Sequence, residues 1–211
     1  MKIFQDIPDG SANIVISPPL EGKKILIYKY VEYLLKKNEP VLYITTDASP
    51  EDIKKDLVKH KIFFGDAEPK GLLVFIDCYS RHVGEAAKNT QSIRRLPGPL
   101  ALNEISVALA ELEKELLKKS PKHTILFNSI STMLMFSNPQ AIGRFIQVII
   151  AKIKKAGGTV IFTLEEDMHS SDVLATMEHL MDAVIFVKEE KGKLMMKARG
   201  LEGLEDWSEF S

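Results

Sequence analysis

The chain has 211 residues and a mass of 23.7 kDa, enough for one well-buried core and short for two. Lys and Arg number 28 against 29 Asp and Glu, so the net charge is −1 and the pI about 6.5, which leaves no overall field to hold nucleic acid or an anionic bilayer. A hydrophobic share of 45% excludes a disordered chain, the single cysteine, Cys78, excludes a disulfide framework or a multi-thiolate zinc site, and no apolar run approaches the roughly 18 residues of a membrane span.

From the N-terminus, Met1 to Asp9 carries one lysine, two aspartates and no long apolar stretch. That is not the pattern of a secretory signal, and the sequence points to a cytoplasmic protein. The prominence of Lys and Glu among the charges, with few Gln and one Cys, leans toward a heat-adapted source. Six short runs rich in β-branched residues then follow one another: Asn13–Ser17, Val41–Thr45, Leu72–Ile76, His123–Asn128, Thr159–Thr163 and Ala183–Val187. They are nearly continuous in apolar residues rather than alternating. This is how strands read when helices cover both faces of a parallel sheet.

The segments between them read as amphipathic helices. One spans about Gly22 to Lys37. Ser49-Pro50-Glu51-Asp52 is a capping sequence ahead of Ile53 and Leu57. Ile105, Leu109, Leu112 and Leu116 form one stripe, and Ile142, Phe145, Ile146, Ile149, Ile150 and Ile153 another, the latter with Asn138 as cap and Pro139 in its first turn. Val173, Leu174, Met177, Leu180 and Met181 mark a last helix, and Gly157-Gly158 ends the one before it. After a turn at Lys191-Gly192, Lys193–Lys197 pairs back on Ala183–Val187 as an antiparallel hairpin. Arg81 to Leu100, with Gly84, Pro97, Gly98 and Pro99, reads as an exposed excursion. The fold class is α/β: a mostly parallel twisted sheet, helices on both faces and a C-terminal hairpin, in one domain over residues 1–211.

Ligands of such sheets sit at the carboxyl ends of the strands. After the first strand the chain reads Ser17-Pro-Pro-Leu-Glu-Gly22-Lys23-Lys24, in the place where a phosphate-binding loop reads G-x-x-x-x-G-K-[ST]. Gly22 and Lys23 fit, and Ser17 and Lys24 do not. On these residues, and on four further segments, the chain resembles a RecA-superfamily ATPase core of the KaiC/RadA type from about residue 10 to 205. Val41-Leu-Tyr-Ile-Thr-Thr-Asp47-Ala-Ser-Pro50 is similar to the second strand and its acidic pair, written F-E-E-S-P in that family. Thr124-Ile-Leu-Phe-Asn128-Ser resembles a Walker B strand, which ends in Asp-Ser. Met181-Asp182-Ala-Val-Ile resembles the late A-D-G-V-I, and Lys197-Ala-Arg199-Gly200 matches K-x-R-G.

The resemblance implies a RecA-like fold, with Gly22, Lys23, Lys24 and Asn128 at the nucleotide position, Asp47 at the vestigial base position, and Lys197 and Arg199 reaching a nucleotide of a neighbouring subunit. It also shows what is missing. Pro18 and Pro19 lack the N–H groups that cradle phosphate. Glu21 sets a carboxylate beside a polyanion. Lys24 offers no lone pair to Mg²⁺, Asn128 lacks the Walker B charge, and Ala48 lacks the second carboxylate. A charge-assisted hydrogen bond is worth about 1.5–3 kcal/mol, so losing two or three costs on the order of 10³-fold in affinity. The expectation is a pseudo-ATPase that binds a protein or peptide partner and self-associates, with no cofactor and no metal. The alternatives are ATP held without Mg by Lys23 and Lys24, or a weak ATPase using Lys23, Asp47 and trans-acting Lys197 and Arg199.

Plain structural roles stand beside these. Gly22-Lys23-Lys24 also reads as a solvated pair opening a helix, Asp47 as a turn residue, Asn128 as a group satisfying the backbone of the loop it opens, and Lys197/Arg199 as a solvated edge. Asp77-Cys78 reads as turn chemistry plus a buried thiol. His60, His82, His123, His169 and His179 are scattered without metal-ligand spacing. The loops Ser129–Pro139, without Lys or Arg, and Leu164-Glu165-Glu166-Asp167, which is acidic, repel a phosphate backbone, and Arg94-Arg95 is the one basic pair in an irregular region. In the tail, Trp207 and Phe210 pack on a neighbour or on their own domain.

Overall fold

The computed structural model describes residues 3–19 and 21–210, with the side chains of Ile3 and Glu21 left aside. After a single helical turn, α1 (Ile3–Asp6), the elements run β1 (Ala12–Ser17), α2 (Glu21–Lys36), β2 (Val41–Thr45), α3 (Pro50–Lys59), β3 (Leu73–Asp77), β4 (Ile93–Arg95) and α4 (Leu102–Leu117). They continue with β5 (Thr124–Asn128), α5 (Ile130–Phe136), α6 (Pro139–Lys155), β6 (Thr159–Glu165), a 3-10 turn (Glu166–Met168), α7 (Ser171–His179), β7 (Ala183–Glu190), β8 (Lys193–Arg199) and β9 (Ser208–Glu209). One sheet takes the order β4-β3-β2-β5-β6-β1-β7-β8-β9. It is parallel from β4 to β7, and β8 and β9 close it antiparallel.

Alternation along the strands divides the core. Ile14, Ile16, Leu42, Ile44, Ile125 and Phe127 face the layer of α4, α5, α6 and α7. Val15, Val41, Tyr43, Phe75, Leu126 and Ile161 face α2 and α3. Both faces are dry, so β1, β2 and β3 are buried at every position, which is why they read as unbroken apolar runs. The caps form as the sequence asks. The Ser49 side chain accepts from the Asp52 N–H and the Asn138 side chain from that of Ala141, each with proline in the first turn.

Two segments depart from the sequence expectation, and so does one residue within the first of them. The stretch 81–100 is not wholly an exposed excursion: Ile93–Arg95 adds a strand parallel to β3, and Ser92, Ile93, Arg95 and Leu96 are buried. Ser129–Pro139 is not an open loop, because Ile130–Phe136 is a helix capped by the Ser129 side chain on the Ser131 N–H. Arg95 is not part of a basic surface. Its guanidinium is 5% exposed and is held by Asp77, by Glu51 at 2.6 Å and by Ser80 at 3.1 Å, while its Nε donates to the Lys88 carbonyl at 2.8 Å. Asp77 performs the expected turn chemistry as well, accepting from the Tyr79 and Ser80 N–H groups. This network binds the excursion to the carboxyl ends of β3 and β4.

Gly200 is explained by packing. Its φ is +84°, and a Cβ there would lie 2.3 Å from the Asp182 carbonyl oxygen. In the tail, Phe210 packs edge-on against Phe4 and beneath Lys29, and Trp207 lies under Lys188 and Lys197, so both aromatics fold back on their own chain. No described helix is long and apolar enough to cross a membrane.

Replacing Arg95 by Met strands the Asp77 carboxylate, which is fully buried. The expected cost is about 3–5 kcal/mol, a fall of roughly 10 °C in melting temperature for a chain of this length. The double change Asp77→Asn/Arg95→Met removes the unpaired charge, keeps an acceptor for the Tyr79 and Ser80 N–H groups, and should recover most of that loss in the same thermal melt.

Candidate functional site

The strand order builds the site. β5 and β6 lie between β1 and β2, so four parallel strands end side by side. Ser17 is level with Glu165, and Thr45 is level with Asn128. The helix that leaves β1 and the turn that leaves β2 therefore meet over the same edge, where an α/β sheet presents its ligand crevice.

Lys23 stands in the first turn of α2 and is only 6% exposed. Its ammonium donates to Glu165 Oε1. Ser129 Oγ donates to Glu165 Oε2 at 2.8 Å, and the Glu165 N–H donates to Ser131 Oγ at 2.9 Å. Ser131 Oγ is also 2.8 Å from His169 Nε2. Burial alone would raise the Glu165 carboxyl; the Lys23 ammonium and the hydrogen bonds from Lys23, Ser131 and Ser129 more than reverse it and hold the group below its ordinary value. At His169, the first and largest influence is loss of water, which lowers its pKa against the pull of Glu165.

Asn128 ends β5 and serves side chains, where the sequence reading had it satisfying loop backbone. Thr163 Oγ1 donates to its Oδ1 at 2.7 Å, and its Nδ2 donates to Asp47 Oδ1 at 3.1 Å. The backbone work falls to Thr46, whose Oγ1 donates to the Ser129 carbonyl at 2.7 Å and accepts from the Ser129 N–H at 2.8 Å. The Asn128–Ser129 peptide is cis. Asp47 opens onto the cleft, but protein surrounds it on the other sides. Such desolvation as it has raises its carboxyl, with Lys23 pulling the other way.

A cleft of about 590 Å³ lies beside this edge, between α2 and α3. Its walls include Lys24, Tyr28, Tyr43, Asp47, Asp56 and Asn128. Lys24 is exposed there, whereas Lys23 is turned inward to Glu165. Gly22 has a packing reason of its own. A Cβ would lie 2.4 Å from a Leu194 methyl carbon, so β8 rests directly on the start of α2. Pro18 and Pro19 follow β1 as a bend; Leu20 and the Glu21 carboxylate lie outside the described residues.

Lys197 and Arg199 are not brought to this edge within one chain. They alternate on β8, paired with Phe186 and Val184, toward the amino end of β7. Lys197 sits over the Phe186 and Trp207 rings at 5.4 and 5.0 Å. Arg199 lies 4.7 Å from the Phe186 centroid and bonds Glu178 at 3.1 Å. Cys78 is buried, and burial pushes its thiol well above its ordinary value, which disfavours the reactive thiolate.

The residue that sequence reasoning missed is Glu165, read only as one member of an acidic loop that repels a phosphate backbone. The available signal was a lysine opening a helix at a strand edge with no intact phosphate cradle around it, since a buried ammonium requires a counter-charge.

Lys23→Met leaves the Glu165 carboxylate buried without its partner, at an expected cost of about 3–5 kcal/mol at pH 7. A lowered carboxyl pKa contributes stability that is present above the ordinary value of 4.5 and lost as pH falls through the folded value. The gap in melting temperature between Lys23→Met and the unaltered chain is therefore widest near neutrality and closes below pH 4.5 in a series of thermal melts.

Comparison with known proteins follows the same outline. Residues 2–201 match the family described as ATPase, KaiC. A UPF0273 protein of Aeropyrum pernix is 21% identical over 184 residues, covering 87% of this chain and 71% of that protein. A second UPF0273 protein, from Methanopyrus kandleri, is 24% identical over 91 residues, covering 43% of this chain and 36% of that protein. With nearly the whole chain matched and the sheet closed as a RecA-like domain, this chain belongs to the KaiC-like ATPase family.

Proposed function

We propose that this KaiC-family domain is a cytoplasmic regulatory module that associates with itself and with a protein or peptide partner, and that it does not turn over ATP. The observation that carries this reading is Asn128. Where the family sets a carboxylate at the end of the Walker B strand, this chain sets a neutral amide whose oxygen takes the Thr163 hydroxyl and whose nitrogen is given to Asp47. Metal-assisted phosphoryl transfer needs both of its protein metal holders. Lys24 replaces the other with an ammonium, which has no lone pair. With neither holder in place, Mg²⁺ has nothing to organise it between the phosphates and the sheet.

Self-association finds support at the surface. The sheet edges are short, three residues in β4 and two in β9, and so make poor templates for strand pairing. Exposed apolar side chains lie elsewhere: Phe63 is 68% exposed, and Phe136, Met135 and Val83 are also open to solvent. Contact through faces rather than edges fits this distribution. The 3-10 turn after β6 is acidic and exposed, and α5 carries no Lys or Arg, which argues against a nucleic-acid partner.

The cleft favours a second reading, in which a nucleotide or another anion binds without metal. It is roomy, it has tyrosine in its wall, and Lys24 presents an exposed ammonium to it. Titration calorimetry with ATP in EDTA tests this, and a flat trace removes it.

For the main reading, phosphate release from Mg-ATP should be no faster than in the Lys23→Ala chain, and Mg-ATP should leave the melting temperature unmoved. Turnover that disappears in Lys23→Ala would sink the proposal.

A further inference from the structure

Lys23 already has an anion. Glu165 is level with Ser17 in the β1–β6 ladder, directly beneath the start of α2, and its carboxylate is held by the Lys23 ammonium on one oxygen and the Ser129 hydroxyl, at 2.8 Å, on the other. The Glu165 N–H is fixed on Ser131 Oγ at 2.9 Å, which anchors the residue at the strand end. An ammonium, a hydroxyl and the first turn of a 16-residue helix are the donor types that receive phosphate oxygens. Here the ammonium and the hydroxyl receive a carboxylate belonging to the chain itself.

We infer that Glu165 is an internal stand-in for phosphate, a plug that closes the Lys23 seat and makes it reject polyphosphates. The position of the pair inside the protein gives this force. Lys23 and Glu165 have side-chain exposures of 7% and 12%, so the contact is neither screened nor loosely held, unlike the surface pairs of α3 and α4. An entering polyphosphate has to break the pair, and it then meets the Glu165 carboxylate directly, with the charge of Asp47 nearby adding to the repulsion. Repulsion between like charges at such separations in a partly dry site outweighs what one lysine returns. Glu165 thereby sets the ligand specificity of this edge as a positioning residue that acts through Lys23. The inference is independent of whether ATP is hydrolysed: it concerns what can reach Lys23, while the proposal above concerns what could follow.

Glu165→Gln keeps the shape, still accepts from Lys23 through its carbonyl oxygen, and removes the charge. Inorganic pyrophosphate is the probe, titrated calorimetrically into the full chain in EDTA so that no metal contributes. The expected result is a dissociation constant at least tenfold lower for Glu165→Gln than for the unaltered chain, with that gain abolished in Lys23→Met/Glu165→Gln. Equal affinity in the two chains, or no binding to Glu165→Gln, overturns the inference. Should Glu165→Gln not hold its fold, the unaltered chain decides through amine acylation read by mass spectrometry. Lys23 resisting a reagent that labels Lys24 bears out the plug, and Lys23 labelled as fast as Lys24 overturns it. Absence of ATP turnover in every chain leaves these readouts unaffected, so the two proposals fail separately.

Discussion

The parallel pairing of β1 with β6 is the constraint on which the functional edge rests. It makes Ser17 level with Glu165 and delivers Lys23, six residues further on, to the carboxylate of a strand 142 positions away in sequence. The register cannot slip, because both faces of these strands are buried. A shift of one residue would exchange the Ile14–Ile16 face with that of Val15 and push each set against the wrong helices. The same locking holds one ladder over, where Thr45 is level with Asn128 and Phe127 with Phe162. The side-chain bonds from Thr163 to Asn128 and from Asn128 to Asp47 then run across three strands as a consequence of backbone register.

This explains what was legible in the sequence. Strands buried on two sides announce themselves as unbroken β-branched runs, and the long helices announce themselves by stripes and by their Ser49 and Asn138 caps. α5 was hidden because seven residues span barely two turns, too short for a 3.6-residue period to repeat. β4 was hidden because three residues amid Gly and Pro carry no pattern, and Arg95, the most buried cation of that region, is charged like any surface arginine. Glu165 was hidden for a stronger reason. Composition cannot distinguish the first acid of Glu165-Glu166-Asp167 from the next two, although a strand ends at the first and the exposed turn begins at the second. The identity of a buried ion pair is long-range information, and a single sequence holds it only implicitly.

The K-x-R-G segment shows how one motif divides among separate physical demands. Gly200 is required by the close approach of the Asp182 carbonyl and by its positive φ. Lys197 is held against the Phe186 and Trp207 rings, and Arg199 is shared between Phe186 and Glu178. Cation–π contacts at half-exposed sites are worth about 0.5–1 kcal/mol each, enough to pose these side chains and little enough to release them. Gly22 follows the same logic at the other end of β8, where the Leu194 methyl occupies the space a side chain would need. Gly200 is demanded by the fold and Gly22 has a packing role against Leu194, so the presence of these two glycines says little about whether nucleotide is bound.

The Lys23–Glu165 pair reaches beyond ligand exclusion. In a phosphate-binding loop the lysine charge is answered by the ligand, and the empty protein carries an unbalanced cation at the helix start beside the partial positive charge of the helix dipole. In this chain the answering charge is covalently part of β6. If Glu165 plugs this seat as inferred above, Lys23 needs no nucleotide to balance its charge, and stability would not track nucleotide concentration as that of a ligand-linked fold does. A domain arranged in this way can hold one shape in the absence of any small molecule. That property suits a surface read by another protein, and it is the opposite of what a nucleotide-driven switch requires.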